Sequence, residues 1–303
     1  MFRNKNPAVD DQRLAQSMFS VTGWGIAHLT RENDERHTVS THTSYPTSSV
    51  WLRLVKQGNT ISSYVKRDGE YGFMLFNSDE VAFGEEFHVG LAVTSHNRDI
   101  LGTLDVSHFE ISDDVYTFPA NPTDVGETGR PVYVQEVKDG VWATQAGGTD
   151  IGGTSDSFGF FGDEHSATDI TATMFLEKVQ WRNNDSKGGL MIRASYDADA
   201  PHVSLLVKAG DGITMYSRST AGGDTVVKKN VGVWRDNVEL RLVKSGNSVE
   251  CSYRPKGATD WYVLGSASAD LDGAGVYYIG HAVTSASPNE HGMLTAKAVV
   301  VTA

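Results

Sequence analysis

The chain alternates apolar and polar residues over short stretches, which is the period of a β-strand with one buried face. These stretches recur at the spacing of roughly 8–12 residues that sandwich and barrel proteins show. No long segment keeps a helical period. The strands predicted for the first 112 residues are Leu14–Val21, Trp24–Thr30, His37–Thr43, Val50–Lys56, Ile61–Lys66, Phe73–Phe76, His88–Thr94 and Leu101–Ile111. The pattern therefore predicts an all-β protein.

One strand-and-turn stretch occurs twice. Val50–Asn59 reads VWLRLVKQGN, and Val238–Asn247 reads VELRLVKSGN 188 residues later. In both copies the alternation places leucines on one face and an arginine on the other, and Gly-Asn supplies a tight turn. A second pair, His88–Ser95 and Tyr278–Ser285, ends each copy with the same Ala-Val-Thr-Ser. We interpret the chain as a duplicated unit.

The first copy is predicted to lack its opening strands. Met1–Arg3 matches Met191–Arg193, and the sixty residues from 131 to 190 have no counterpart before Met1. A sandwich without those strands would expose unpaired edges. Two explanations stay open: the natural chain is longer, or another polypeptide supplies the strands by β-augmentation.

The predicted organisation has three parts. Residues 1–112 form a truncated sandwich, residues 113–130 form a linker rich in Pro, Gly, Asp and Thr, and residues 131–303 form a complete sandwich. The predicted fold class is thus two tandem antiparallel β-sandwich (jelly-roll) units, the first lacking its N-terminal strands.

Five stretches of the second copy carry a family resemblance: Asp150–Phe158, Gly189–Arg193, Pro201–Ser204, Leu240–Asn247 and Gly280–Ser285. They are similar to concanavalin-A-like lectin/glucanase (laminin-G-like) jelly-roll modules, of the kind appended to bacterial secreted glycosidases and surface proteins. The resemblance implies two curved antiparallel sheets stacked as a sandwich, with a concave face that meets carbohydrate in many members. It also implies an extracellular or cell-surface location.

Charge and cysteine content narrow the classes of partner. The net charge of −12 argues against nucleic-acid backbones and anionic membrane surfaces, since both reward clustered Lys and Arg. No stretch approaches the roughly 18 apolar residues of a membrane span, so membrane insertion is not predicted. Cys251 is the single cysteine, and we expect a small packed residue rather than a nucleophile.

The sequence shows no pattern that carries catalysis. Retaining glucanases of the same superfamily place paired carboxylates on one strand, and neither copy has such a run. There is also no H-E-x-x-H zinc motif and no G-x-S-x-G nucleophile turn. A non-enzyme is therefore predicted, with a glycoside hydrolase or polysaccharide lyase as an alternative.

Aromatic and arginine side chains supply the candidate sugar-binding residues, because sugars need ring faces for stacking and a few oriented polar groups. The candidates are Arg193, Tyr216, Arg218 and Trp261. The spacing of Tyr216 and Arg218 places both on one face of a strand. The alternative is that the aromatics fill the core and the arginines form surface pairs.

Calcium is a candidate ligand, although no cofactor is required. Asp197, Asp199, Asp270 and Asp272 carry hard oxygen ligands in loops, as calcium prefers. The alternative is that these aspartates only make turns.

The predicted function is a non-catalytic carbohydrate-binding or adhesive module pair of a larger extracellular or surface protein, with a polysaccharide or glycan as the partner. The alternative from a different class is a structural assembly protein, whose incomplete first sandwich is completed by strands from another subunit.

Overall fold

The protein is described here by a computed structural model. It covers residues 1–4, 15–22, 25–32, 38–43, 49–67, 73–84, 86–112, 122–138, 140–180, 184–208, 210–232, 236–273 and 275–302. Within these ranges every regular element is a β-strand, and the paired strands are antiparallel. The predicted all-β, antiparallel sandwich architecture is confirmed. The chain divides into two compact units, Met1–Thr117 and Phe118–Ala303.

The second unit contains two sheets. The seven-stranded sheet has the order β17-β16-β15-β14-β21-β12-β9. Its strands are β9 (Thr123–Val125), β12 (Phe158–His165), β14 (Lys187–Arg193), β15 (His202–Lys208), β16 (Gly212–Arg218), β17 (Val226–Val231) and β21 (Tyr277–Thr284).

The eight-stranded sheet of the second unit has the order β10-β11-β22-β13-β18-β19-β20, and β23 also pairs with β13. Its strands are β10 (Tyr133–Lys138), β11 (Val141–Ala146), β13 (Asp169–Gln180), β18 (Val238–Ser245), β19 (Ser248–Pro255), β20 (Tyr262–Ser268), β22 (Gly292–Lys297) and β23 (Val300–Thr302).

The two sheets pack face to face around one apolar core. Alternate residues of β18, namely Val238, Leu240 and Leu242, are fully buried, whereas Glu239 and Arg241 between them point outward. They share the core with Leu190 and other residues of the seven-stranded sheet. This two-layer arrangement is what the alternating pattern demands, because each sheet must bury one apolar face.

The predicted linker, residues 113–130, includes one strand of the second unit. Residues 113–121 lie outside the described residues, but β9 lies within the predicted range of 113–130 and pairs with β12 of the second unit. Phe158 aligns with Val125 in this pair, and Val125 is fully buried. A segment rich in turn-forming residues can therefore still form an edge strand when one of its apolar side chains is buried in the core.

The first unit contains two smaller sheets. One has the order β4-β3-β2-β1-β8, and the other has the order β5-β6-β7. The strands are β1 (Phe2–Asn4), β2 (Gln16–Thr22), β3 (Gly25–Arg31), β4 (Val39–Thr43), β5 (Val50–Gln57), β6 (Thr60–Arg67), β7 (Met74–Glu80) and β8 (Phe87–Val89).

The three strands β5, β6 and β7 match β18, β19 and β20 at a constant offset of 188 residues. Val50 aligns with Arg67 as Val238 aligns with Pro255. Even the register shift recurs, between Ser63 and Tyr64 in β6 and between Cys251 and Ser252 in β19. The similar sequences thus adopt the same hairpins.

The end of the first unit differs from the prediction. Strand β8 stops at Val89, and the predicted strand Leu101–Ile111 is absent, although residues 86–112 are described. In the second unit the matching stretch is β22, which lies between β11 and β13. Among the described residues of the first unit no strand corresponds to β11 or β13. An apolar alternating stretch stays extended without a sheet when it has no neighbouring strands to pair with.

Candidate functional site

The outer face of the seven-stranded sheet points away from the eight-stranded sheet and is covered by a loop. Met191, Leu206 and Tyr216 on this face form a second apolar cluster with Ile151 from that loop. We call residues 147–157 the covering loop. Backbone hydrogen bonds hold it in place, including Asp156 N to Ala198 O at 2.7 Å.

An ion pair is buried beneath the covering loop. The two carboxylate oxygens of Asp156 accept hydrogen bonds from Nη1 and Nη2 of Arg218, both at 2.8 Å. Nη1 of Arg193 lies 3.6 Å from the same carboxylate. The side chains of all three residues are 0% exposed. Burial lowers the pKa of Arg193 to about 10, so this guanidinium is still charged at neutral pH.

Backbone carbonyls satisfy much of the remaining donor capacity of the two arginines. Arg218 donates to the carbonyl oxygens of Ala198, Ala200, Gly152, Gly153 and Gly223. Its guanidinium therefore joins the covering loop to two neighbouring loops. A planar five-donor group suits this role better than an ammonium would.

His202 completes the buried polar cluster. Its Nε2 lies 3.4 Å from Thr225 Oγ1 and 4.0 Å from the Asp156 carboxylate. Burial, and then the charges of Arg193 and Arg218, lower the pKa of His202 well below its ordinary value. The imidazole is therefore neutral at physiological pH.

The structure brings together three of the four predicted sugar-binding residues. Arg193, Tyr216 and Arg218 lie on the outer face, and Tyr216 and Arg218 share one face of β16 as predicted. Both arginines are inaccessible in this conformation, and Tyr216 is only 6% exposed. A ligand could reach them only if the covering loop moved, so their part in binding stays a prediction.

Trp261 immediately precedes β20, which is a strand of the eight-stranded sheet. Its ring centre is 4.1 Å from the guanidinium carbon of Arg241 and 4.6 Å from that of Arg254. In the first unit Phe73 occupies the matching place, 3.9 Å from the guanidinium carbon of Arg53. The same cation–aromatic packing in both units favours a structural role.

The four candidate calcium ligands do not form a cluster. Asp272 pairs with Lys244 at 2.8 Å, and the Asp197 carboxylate accepts a hydrogen bond from Ser195. Across the part of the chain that is described, no three His, Cys, Asp or Glu side chains are grouped as a metal site would require. Calcium binding at Asp197, Asp199, Asp270 and Asp272 stays a prediction.

A partly exposed aromatic surface lies beside the covered face, and no sequence pattern predicted it. Tyr196 and Tyr278 pack with ring centres 4.2 Å apart, and Phe160 supports Tyr196 from below at 6.0 Å. The Tyr278 hydroxyl donates to the exposed Glu164 carboxylate at 3.1 Å. Tyr196 is also hydrogen-bonded to Thr123. We call Thr123, Glu164, Tyr196 and Tyr278 the tyrosine rim.

The electrostatics of the tyrosine rim keep both phenols neutral. Partial burial, and then the neighbouring Tyr278 and Asp163, raise the pKa of Tyr196. Partial burial and the Glu164 carboxylate raise the pKa of Tyr278. Both hydroxyls therefore remain hydrogen-bond donors well above neutral pH.

Fold and site together define the class: a β-sandwich of jelly-roll type whose outer face is closed by a loop. No family model matches the chain, and no curated protein sequence does. Solved structures resemble it weakly. A functionally unknown protein from Saccharomyces cerevisiae is 15% identical, with a TM-score of 0.46, over 60% of this chain and 98% of its own.

Two further solved structures are related to carbohydrates by name. Carbohydrate-binding module CBM66 from Bacillus subtilis is 15% identical, with a TM-score of 0.38, over 61% of this chain and 96% of its own. The Bacteroides ovatus xyloglucan protein GH43B is 12% identical, with a TM-score of 0.37, over 94% of this chain and 75% of its own. At this level the comparisons concern the fold and assign no function. The described residues include no helix long and apolar enough to span a membrane.

Proposed function

We propose that the second unit binds a carbohydrate without cleaving it, and that the tyrosine rim is the contact surface. One observation carries this proposal: two packed tyrosine rings, a carboxylate and a hydroxyl lie together on a partly exposed surface, while the neighbouring strands β14, β15 and β16 are buried almost throughout. This is the mixture of ring faces and oriented polar groups that sugar recognition uses.

Each group has a distinct task in the proposed complex. The exposed parts of the Tyr196 and Tyr278 rings stack against the apolar face of a pyranose. The Glu164 carboxylate accepts hydrogen bonds from sugar hydroxyls, because it still has acceptor sites beyond the one used by Tyr278. The rigid cluster around Asp156 lies below and holds the loops that position Tyr196.

The carboxylates near the rim support binding rather than glycoside hydrolysis in this proposal. Glycoside cleavage requires two carboxyl groups on opposite sides of one glycosidic bond. Glu164 and Asp163 are adjacent in β12, so their side chains leave opposite faces of the sheet. In the described residues we find no specific arrangement that favours the alternatives of hydrolase or lyase.

An adhesive or substrate-targeting role in an extracellular or cell-surface protein would suit such a module. Calcium is not needed in this proposal. A partner that completes the first unit would bind residues outside the tyrosine rim.

A glycan array tests the proposal. The full-length protein is applied to plant, algal and bacterial polysaccharides in CaCl₂ and again in EDTA, together with a Tyr278→Ala variant and a Tyr196→Ala variant. The control is Tyr262→Ala, which removes a 53% exposed tyrosine from the other sheet. We expect signals that both rim variants reduce at least about tenfold, since truncating a central aromatic contact residue costs about 2 kcal/mol or more.

Two results would count against the proposal. The absence of binding to any glycan, with and without calcium, would reject carbohydrate binding. Binding that the rim variants leave unchanged, or that Tyr262→Ala reduces equally, would reject the tyrosine rim as the site.

A further inference from the structure

Among the described residues, the five-stranded sheet of the first unit has an open edge at β8. Strand β8 pairs with β1, and no other described strand lies along its second edge. The matching strand of the second unit, β21, is paired on both edges, with β14 and with β12. The registers agree: Gly90 N donates to Met1 O at 3.1 Å, and Gly280 aligns with Met191.

A glycine marks the place where the second unit has a neighbouring strand and the described part of the first unit has none. A Cβ atom on Gly280 would lie 2.2 Å from Phe161 O and 2.5 Å from the Cα atom of Gly162, so β12 can approach only because position 280 is glycine. Gly90 holds the matching position, yet a Cβ atom there would meet nothing within 4 Å. The first unit thus keeps the glycine that a close neighbouring strand requires, beside open space.

The second sheet of the first unit is open as well. Strand β18 pairs along its whole length with β13. Its counterpart β5 is the outermost strand of its sheet among the described residues. Trp51 is 40% exposed and Leu52 is 37% exposed on β5, whereas Leu240, which matches Leu52, is fully buried.

Residues 90–112 carry an apolar surface that the second unit buries. Leu104 is 49% exposed, while the matching Leu294 of β22 is fully buried between two strands. The turn within this stretch is nevertheless formed, since Ser95 Oγ donates to Asn97 O just as Ser285 Oγ donates to Ser287 O. The exposed large apolar side chains between residues 89 and 112 are Val89, Leu91, Val93, Ile100, Leu101, Leu104, Val106, Phe109 and Ile111.

We propose that the first unit is an acceptor for a polypeptide segment that resembles residues 158–180, supplied by a partner chain other than a second copy of this one. The occupant is a pair of β-strands: one adds to the free edge of β8 as β12 does to β21, and the other adds to β5 as β13 does to β18. The second unit supplies the template, because the same two junctions are formed there with known register.

The template also defines the chemistry of the occupant. Gly162 aligns with Gly280, and a Cβ atom on Gly162 would lie 2.1 Å from Ile279 O, so the first donated strand needs a glycine opposite Gly90. The second donated strand is long and alternates buried and half-buried residues over most of its length, as β13 does. Main-chain hydrogen bonds give the affinity and the alternating side chains give the specificity.

The test adds the template segment to the intact protein. Residues 122–190 are duplicated in front of Met1 of the full chain, so that Leu190 precedes Met1 as it precedes Met191. Amide hydrogen exchange of peptides within residues 87–111 reports on the junction. We expect exchange in 88–94 and 102–107 to slow by about 100-fold or more, since ordered strands exchange only through opening, and we expect binding of an apolar dye to fall.

The control is Gly90→Ala. In the unextended chain this substitution meets open space and should leave the unfolding temperature within about 1 °C of wild type. In the extended chain it should prevent the slowing of exchange, because the added methyl group occupies the path of the donated strand.

Three outcomes would overturn the proposal. The extension could leave exchange in residues 87–111 unchanged while the second unit unfolds at its usual temperature. The slowing could persist with Gly90→Ala, which would mean that the segment does not bind at β8. The unextended chain could already be protected in 87–111 at high concentration and lose this protection on dilution, which would identify a second copy of the chain as the occupant.

Discussion

Replacing Asp156 by asparagine should destabilise the second unit strongly, although the two side chains have almost the same shape. The substitution removes the carboxylate that lies 3.6 Å from Arg193 and 2.8 Å from Arg218, and all three side chains are 0% exposed. Breaking a buried ion pair at one partner costs about 3–5 kcal/mol, because the other charge is left without compensation.

Calorimetry of the full-length protein measures this cost. The second unit spans residues 118–303, a size at which 1 kcal/mol corresponds to about 2–4 °C in Tm, so the expected decrease is roughly 6–20 °C. The transition of the first unit serves as an internal reference. Asp163→Asn is the control, because Asp163 is an exposed carboxylate of the same sheet and its loss should cost less than about 0.5 kcal/mol. A cost below about 1 kcal/mol for Asp156→Asn would refute the reasoning.

Three further predictions follow from buried groups. Burial lowers the pKa of His281 to about 4, so the unfolded chain binds more protons than the folded chain between pH 6.5 and 4. The free energy of unfolding should therefore fall by up to about 3 kcal/mol as the pH drops through this window. Urea unfolding should show a smaller pH dependence in His281→Gln than in the exposed control His96→Gln. Gly280→Ala should cost more than about 2 kcal/mol in thermal unfolding, whereas Gly90→Ala should be nearly neutral, and equal costs would contradict the difference in space beside them. Burial raises the pKa of the Cys251 thiol, so iodoacetamide should label it only in urea, and rapid labelling of the native protein would contradict its burial.

Local sequence predicted the hairpins well because interactions between residues close in sequence determine them. The predicted strand Val50–Lys56 is β5, Val50–Gln57, and the turn after it contains Gly58 with a φ of 58°. Alternation and a glycine at a left-handed position determine such a hairpin without reference to the rest of the chain. The predicted strand Leu101–Ile111 has the same alternation but depends on neighbours distant in sequence, and it is absent.

The site depended on contacts that no local pattern reports. Asp156 is 62 residues from Arg218, and its sequence neighbourhood of Gly, Thr and Ser is typical of any loop. Tyr196 and Tyr278 meet only because β14 and β21 are adjacent in the sheet. The pairing of Tyr216 with Arg218 on one face was predictable from strand alternation; that a carboxylate would seal this face was not.

The sealed face also decides where a ligand can bind. A glycan that contacted Arg193 or Arg218 would first have to displace Asp156, and separating this buried pair costs about 3–5 kcal/mol. That cost is comparable to the whole binding free energy of a millimolar ligand, about 4 kcal/mol. A sugar at the tyrosine rim avoids it, because Tyr278 and Glu164 are accessible with the covering loop in place. Binding should therefore occur over β12 and β21 rather than over β16.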